Sequence, residues 1–273
     1  MTTLYSSVIQ LHNLRAGELR RNSGLYANAV FYSLINAVDP TLAEALHQWN
    51  GRKPFTISRL LGLPKGPGKS VYLKAGWECW LRITTLGNNI FQPLMQHFLQ
   101  GGGHPKIQLG ALSFGVSQVL TTPASHTWAG YIGVETLLHQ TESTRTATLK
   151  FASPTQFNLG DRMALFPLPA LVFGSLASKW NAFLQPRLDR EAVEKSAQSV
   201  LITNYRLRTS TYRWKRRVKK GFSGRCTYNL KHLSPDDQKL FCTLTDFAFY
   251  GGMGGKTTQG MGQVRRVPDS PTR

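Results

Sequence analysis

The chain has 273 residues, enough for one large domain or two small ones with a sizeable core. Hydrophobic residues make up 41% and aromatics 11%, which excludes a disordered chain. Lys and Arg number 33 against 14 Asp and Glu, a formal net charge of +19, and an imbalance of that size points to a polyanionic partner, nucleic acid before an anionic membrane surface.

In chain order, 3–12 reads as a short strand and 25–37 as a helix with Leu25, Ala29, Tyr32, Leu34 and Ile35 near one face. Asp39 caps a second helix over 41–49, with Pro40 at its first position. Residues 53–61 read as a strand, Gly66–Gly68 as a turn, and 70–86 as one long strand. Asn88 or Asn89 caps a helix to about Gln100, stopped by Gly101–Gly103, and 106–120 is a further strand. This β-α-β-β-α-β order is that of a ferredoxin-like unit.

The second half repeats the order. A short helix over 131–140 precedes a strand at 146–152, a helix over 168–184 that 189–198 extends, and two strands at 199–212 and 217–230. Ser234-Pro235-Asp236-Asp237 is a strong helix start, the helix runs to about Tyr250, and a glycine loop leads to a last strand at 262–267, with a frayed tail after Pro268. The expected fold class is α+β, with two tandem ferredoxin-like (RRM-like, βαββαβ) domains at 1–121 and 122–273.

Cys79, Cys226 and Cys242 form no CxxC pair and no zinc spacing with the seven histidines, so they read as buried thiols, with no metal or cofactor expected. The apolar stretch 163–180 is broken by Pro167 and Pro169, MTTLYSSVIQ lacks the pattern of a secretion leader, and no basic amphipathic helix or lipidation signal is present. The expected setting is the cytoplasm, with no membrane partner.

The stretch GGMGGKTTQGMG (251–262) suggests a phosphate-binding loop. A nucleotide P-loop requires glycine five residues before Gly255, where Tyr250 stands, and it opens a helix, whereas this loop follows one. Read instead as Gly252-Met253-Gly254 and Gly260-Met261-Gly262, the glycines allow close backbone approach and each Met anchors into apolar surface. Backbone N–H groups at Gly254 and Gly255, with Lys256, Thr257 and Thr258, are then open to nucleic-acid phosphates, unless the loop is a plain flexible turn.

This spacing resembles the C-terminal glycine-rich motif of the CRISPR-associated repeat-processing endoribonucleases, the Cas six family of the RAMP superfamily. LHQWNGRKPFTISRL (46–60) resembles that family's first-domain signature, and FASPTQF (151–157) with the following PLPALVFGSLASKWNAF helix resembles the start of its second domain. The resemblance covers nearly the whole chain in the family's order and implies two ferredoxin-like domains. It also implies metal-independent cleavage of CRISPR precursor transcripts within their repeats. In that chemistry the substrate's 2′-hydroxyl attacks the adjacent phosphorus and leaves a 2′,3′-cyclic phosphate and a 5′-hydroxyl, so one group must take a proton and another supply one.

Histidine is poised for proton transfer near neutral pH. His47, at a helix end beside the basic link Arg52-Lys53, matches the family's catalytic histidine. Lys53 matches an assisting lysine or simply binds phosphate. Tyr32 matches a tyrosine of the same constellation or is a core residue of its helix. His12, His97, His104, His126, His139 and His232 have no motif behind them, although His104 in its glycine loop is a reserve candidate. The tract 205–225 is basic without one acid and interleaves Tyr205, Tyr212, Trp214 and Phe222. Folded as a hairpin, it would grip RNA phosphates through Arg206, Arg208, Arg213, Lys215, Arg216, Arg217, Lys219 and Lys220 while rings stack on bases. The expected partner is CRISPR repeat RNA, as precursor and mature guide, with other CRISPR effector-complex subunits as further candidates. A non-catalytic RAMP-type subunit that only holds the guide-RNA repeat is the alternative reading, and a nucleotide hydrolase is disfavoured by Tyr250.

Overall fold

The computed structural model describes residues 2–100, 105–214 and 217–268, without the side chains of 212–217. The expected glycine stop at Gly101–Gly103, His104, Lys215, Arg216 and the tail after Pro268 lie outside the described residues. The chain divides into two compact units. One comprises Thr3–Tyr131 with Thr258–Gly260, and the other Met1–Thr2, Ile132–Thr257 and Met261–Arg273.

The first unit contains β1 (Thr3–Asn13), β2 (Gly17–Arg20), α1 (Gly24–Asn36), α2 (Pro40–Gln48), β3 (Phe55–Ile57), β4 (Ser70–Leu73), β5 (Glu78–Leu86), α3 (Asn88–Gln100), β6 (Lys106–Leu109) and β7 (Leu112–Leu120). Its main sheet runs β3-β5-β1-β7-β6, with every one of these pairs antiparallel. With β1, β3, β5 and β7 as the four strands of a split βαβ unit, the spatial order is second, third, first, fourth, which is the ferredoxin-like arrangement. Alternation decides the faces. Ile9 and Leu11 of β1 join Leu81, Ile83, Phe55, Ile57 and Phe114 beneath Phe31, Leu34 and Ile35 of α1 and Ile90 and Leu94 of α3.

On the opposite face Ser6 donates to the Trp128 carbonyl at 2.5 Å, and the buried Arg82 guanidinium lies 4.7 Å over the Trp128 ring. His126 packs edge-on against Trp80 at 4.7 Å. The segment after β7 therefore belongs to the first sheet's packing, and the division falls at Tyr131/Ile132, within β8 (Gly130–Gly133), rather than at 121/122.

Local turn chemistry breaks two of the expected strands. Between β4 and β5, Gly76 adopts φ 77° and donates its N–H to the Asn13 carbonyl. β4 then leaves to pair with β2, so 70–86 is two strands in different sheets. Gly110, at φ 62°, turns 106–120 into the β6–β7 hairpin. The expected strand over 53–61 pairs regularly only at Phe55–Ile57, with two isolated bridges beyond it, Ser58 to Gly260 and Leu61 to Trp80.

The second unit contains α4 (Val134–Gln140), β9 (Thr146–Thr155), β10 (Phe157–Leu159), β11 (Arg162–Ala164), α5 (Pro169–Phe183), α6 (Arg190–Ser196), β12 (Leu201–Trp214), β13 (Arg217–Asn229), α7 (Pro235–Gly251) and β14 (Val264–Val267). The helix expected over 131–140 forms only from Val134, preceded by β8. The sheet order β12-β13-β9-β14 is again second, third, first, fourth. Leu149, Phe151, Phe222, Cys226 and Tyr228 are buried on one face, and Phe173, Trp180, Phe241 and Phe247 of α5 and α7 are buried as well. Two of the contacts between these sets are Phe173–Tyr228 and Trp180–Phe247, the first from helix to sheet and the second from helix to helix.

Residues 189–198 do not extend α5. Asp189 accepts from the Ala192 N–H at 3.0 Å and starts α6 afresh. At α7, Ser234 accepts from the Asp237 N–H at 3.1 Å, with Pro235 first and two acids in the first turn, as the sequence reads. Among the described residues no helix is long and apolar enough to cross a membrane.

Candidate active site and RNA-contacting elements

Helix α2 is a nine-residue platform. The Asp39 side chain accepts from the Leu42 N–H at 2.9 Å, Pro40 pre-sets the first turn, and Ala43 and Leu46 face the core. This leaves His47 in the last turn with its side chain exposed. Among the described residues its imidazole makes no hydrogen bond. The Tyr32 ring, projecting from α1, meets it edge-on at 5.4 Å with planes 80° apart, and meets Phe55 in the same way at 6.0 Å.

The carbonyls that close α2 lack helical partners. Tyr32 donates its hydroxyl to the Leu46 carbonyl at 3.2 Å. The Lys53 ammonium donates to the Leu46 and Trp49 carbonyls and reaches the His47 carbonyl at 3.5 Å. Burial pushes the Tyr32 phenol above its ordinary value and the Lys53 ammonium below its own, while the carbonyls around Lys53 favour its charged form. The three residues picked from the sequence are thus brought together, in two different roles. Tyr32 and Lys53 hold the end of α2, and His47 is presented to solvent.

Arg52 is exposed beside Lys53. Trp49, at 48% exposure, lies in the same short link and was not singled out by the sequence reading. An aromatic within a basic link was the available signal.

The glycine loop begins where α7 ends, in a helix-to-strand context, with Tyr250 inside the helix. Met253 and Met261 are buried, as the spacing suggested. Gly254, Gly260 and Gly262 have φ of 73°, 90° and 66°, and a Cβ on Gly254 or Gly262 would collide with the carbonyl oxygen of Gln156 or Met253 respectively. Here only glycine permits the approach.

The expectation of open N–H groups does not hold at Gly254 and Gly255. Gly255 donates to the Gln156 carbonyl at 3.0 Å and Gly254 to the Ser175 hydroxyl at 3.4 Å. The close packing that requires glycine also consumes these donors. The loop instead exposes the Lys256 side chain, at φ 60°, beside the half-buried Thr257 and Thr258 of a short 3₁₀ turn. The Thr258 carbonyl accepts from the Asn28 side chain at 3.1 Å.

β12 and β13 pair from Leu201↔Asn229 to Trp214↔Arg217, which makes the basic tract a hairpin with β12 at the sheet edge. Arg206, Arg208 and Lys220 are exposed and Lys219 is half-buried. Arg213 and Arg217 belong to the paired backbone, but their side chains, with those of Tyr212 and Trp214, lie outside the described residues. Phe222 is a correction. It is 1% exposed and packs against Phe151 at 4.9 Å, so it is a core residue and not a stacking platform, because its register places it on the helix-covered face. Tyr205, 59% exposed with Phe166 edge-on at 5.5 Å, remains open to a base.

Comparison with known proteins matches residues 4–139 to the CRISPR Cas6 N-terminal domain and 149–264 to the CRISPR-associated endoribonuclease Cas6. The Cas6 endoribonuclease of Streptococcus thermophilus is 30% identical over 139 residues, 49% of this chain and 57% of that protein. That of Mycobacterium tuberculosis is 28% identical over 129 residues, 47% of this chain and 41% of that protein. The match thus spans about half the length of these curated relatives. Among solved structures, a Cas6 product complex superposes with a TM-score of 0.80 at 29% identity, covering 97% of this chain and 100% of that one. Thermus thermophilus Cas6 superposes at 0.76 and 27%, covering 98% and 99%. Two ferredoxin-like units in the family's order, each matched by a family domain, place this chain in the CRISPR-associated Cas6 family.

Proposed function

We propose that the protein is a metal-independent endoribonuclease that cuts CRISPR precursor transcripts within their repeats. The observation that carries this reading is the convergence of His47, Tyr32 and Lys53 on the end of α2, in a chain of the Cas6 family. The 2′-hydroxyl upstream of the scissile phosphate loses its proton, its oxygen bonds to phosphorus, and the 5′-oxygen departs after gaining a proton. His47 transfers one of these protons, a role worth about 10²–10⁴-fold. Lys53 and Tyr32 act by keeping the helix end, and with it the imidazole, in place. Arg52, Lys256 and the hairpin cations Arg206, Arg208, Lys219 and Lys220 hold RNA through its phosphates. The Cas6 product and substrate-mimic complexes among its solved structural neighbours support repeat RNA as the partner.

The test is cleavage of a CRISPR repeat RNA in excess EDTA. The expected products carry a 2′,3′-cyclic phosphate and a 5′-hydroxyl, and a 2′-deoxy nucleotide at the cut site should block the reaction. Cutting of the deoxy substrate would refute the mechanism. His47→Ala should lose most activity and keep RNA affinity, and full activity would remove His47 from the reaction. Lys256→Ala should weaken RNA binding and flatten its salt dependence without changing the cleavage chemistry. A chain that binds the repeat but never cuts it would be the non-catalytic RAMP-type subunit.

A further inference from the structure

Trp49 stands two residues after His47 and is 48% exposed, more than any other tryptophan among the described residues. Tryptophan is on average a highly buried side chain, and an indole left half in water forgoes apolar burial. The backbone that presents this ring is nevertheless fixed on both sides. Trp49 caps the end of α2, its N–H donates to the Ala45 carbonyl at 3.0 Å, and its carbonyl accepts from the Lys53 ammonium. The same ammonium donates to the Leu46 carbonyl and reaches that of His47 at 3.5 Å, so one group holds the main chain beneath both side chains. With ψ of 116° at Trp49 the chain leaves the helix there, and Gly51, at φ 108°, turns it toward Lys53.

The proposed cleavage sets a geometric demand that proton transfer alone does not meet. The attacking 2′-oxygen, the phosphorus and the departing 5′-oxygen must lie in line, and a nucleotide kept in a continuous base stack does not place them so. Drawing one flanking base out of the stack turns its sugar, and a flat aromatic surface holds the base there. Stacking of one base on an aromatic side chain is worth about 5- to 150-fold and tolerates any base, because every base has a π-face. The Cα atoms of His47 and Trp49 are at most about 7.6 Å apart. That is about two steps of 3.4 Å along a stacked strand, so imidazole and indole can address adjoining nucleotides.

We infer that the Trp49 indole is the stacking platform for one of the two nucleobases that flank the scissile phosphate, and that it thereby sets the in-line alignment on which His47 acts. The inference rests on the RNA-processing reading above and adds a substrate-positioning residue to it. The indole takes part in no bond made or broken, and the protons stay with His47. Lys53 meets the carbonyl of Trp49 and not its ring, so removing the ring leaves the end of α2 held as before.

The test is single-turnover cleavage in EDTA by the unmodified protein, Trp49→Phe and Trp49→Ala. The substrates are a CRISPR repeat RNA and two copies of it, one abasic at the nucleotide before the cut and the other at the nucleotide after it. On intact RNA, Trp49→Ala should cut about 10-fold more slowly, within the range one stacked base supplies, and Trp49→Phe should recover part of the loss. One of the two abasic substrates should slow the unmodified protein by a similar factor and slow Trp49→Ala no further, because ring and base belong to one contact. The urea midpoint of Trp49→Ala should match that of the unmodified protein. An unchanged rate in Trp49→Ala on intact RNA would overturn the inference. So would both abasic substrates slowing Trp49→Ala as much as they slow the unmodified protein, since the lost base would then have stacked elsewhere. A slower Trp49→Ala with a lowered urea midpoint and no such coupling would make the ring structural. In each of these cases cutting of intact RNA by the unmodified protein leaves the processing reading standing. If the unmodified protein does not cut intact RNA, both readings fall.

Discussion

Replacing Lys53 with Met keeps the length of the side chain and removes its ammonium. That ammonium donates to the Leu46 and Trp49 carbonyls at the end of α2 and lies 3.5 Å from the His47 carbonyl. A hydrogen bond to a charged group contributes about 1.5–3 kcal/mol when buried. Lys53 is only partly buried, so water takes over much of that in the variant. A charge at a helix C-terminus adds about 0.3–1 kcal/mol before screening. Together these predict a loss of about 1–2 kcal/mol, read as a lower urea midpoint with an unchanged slope.

Tyr32 donates to the same Leu46 carbonyl at 3.2 Å, so the two side chains share an acceptor. Tyr32→Phe alone should cost about 0.5–1.5 kcal/mol. The double variant should depart from additivity by at least about 0.5 kcal/mol, because each residue partly covers for the other. Single-turnover cleavage in EDTA should slow in Lys53→Met at unchanged RNA affinity, since the perturbed group positions His47 and does not bind substrate. Unchanged stability with a cleavage loss of 10²-fold or more would refute this account, because it would place the ammonium on the transition state itself.

Gly262→Ala should destabilise the second unit by more than about 3 kcal/mol. Positive φ costs about 1–2 kcal/mol, and the new methyl would also meet the Met253 carbonyl and lie 2.9 Å from Thr257 Cγ2. Gly160→Ala, at φ 59° with open space around it, should show the backbone cost alone, and equal urea midpoints for the two variants would contradict the close-approach argument. The thiols of Cys79 and Cys226, pushed by burial up to about 12 and about 11, should resist a disulfide reagent at mildly alkaline pH in the native protein and react when urea is added. Rapid native labelling of either would show that it is accessible. Burial raises the Asp246 carboxyl above its ordinary 3.8 despite Arg266 beside it, so the folded chain holds that proton more tightly than the unfolded one. Stability from this group is complete below 3.8 and is lost as pH rises through the folded value, so Asp246→Asn should gain on the wild type across that rise. A stability difference that stays constant with pH, or shrinks as pH rises, would contradict it.

The sequence by itself determined the features that local chemistry controls. Its charge excess pointed to a polyanion. Asp39-Pro40 and Ser234-Pro235 mark helix starts that form with the expected caps, because a cap is decided by residues three apart in sequence. The order of elements named two ferredoxin-like units, and the glycine spacing named a loop that packs backbone on backbone. The helix-end position of His47 was legible for the same local reason.

Tertiary structure decided the rest. A period of two says that side chains alternate along a strand but not which face is covered, so Phe222 read as a stacking ring until its register buried it. Nothing local to Gly254 and Gly255 reveals that Ser175 and Gln156, distant in sequence, take their N–H groups. The tie of Lys53 to the carbonyls of α2 depends on how the chain folds back after Gly51. Arg206, Arg225, Lys150 and Arg265 are scattered over more than half of the second unit's sequence, and only strand pairing sets Arg206 opposite Arg225, Arg225 opposite Lys150 and Lys150 opposite Arg265. Long-range pairing is set by the whole core at once, and a local pattern carries no record of it.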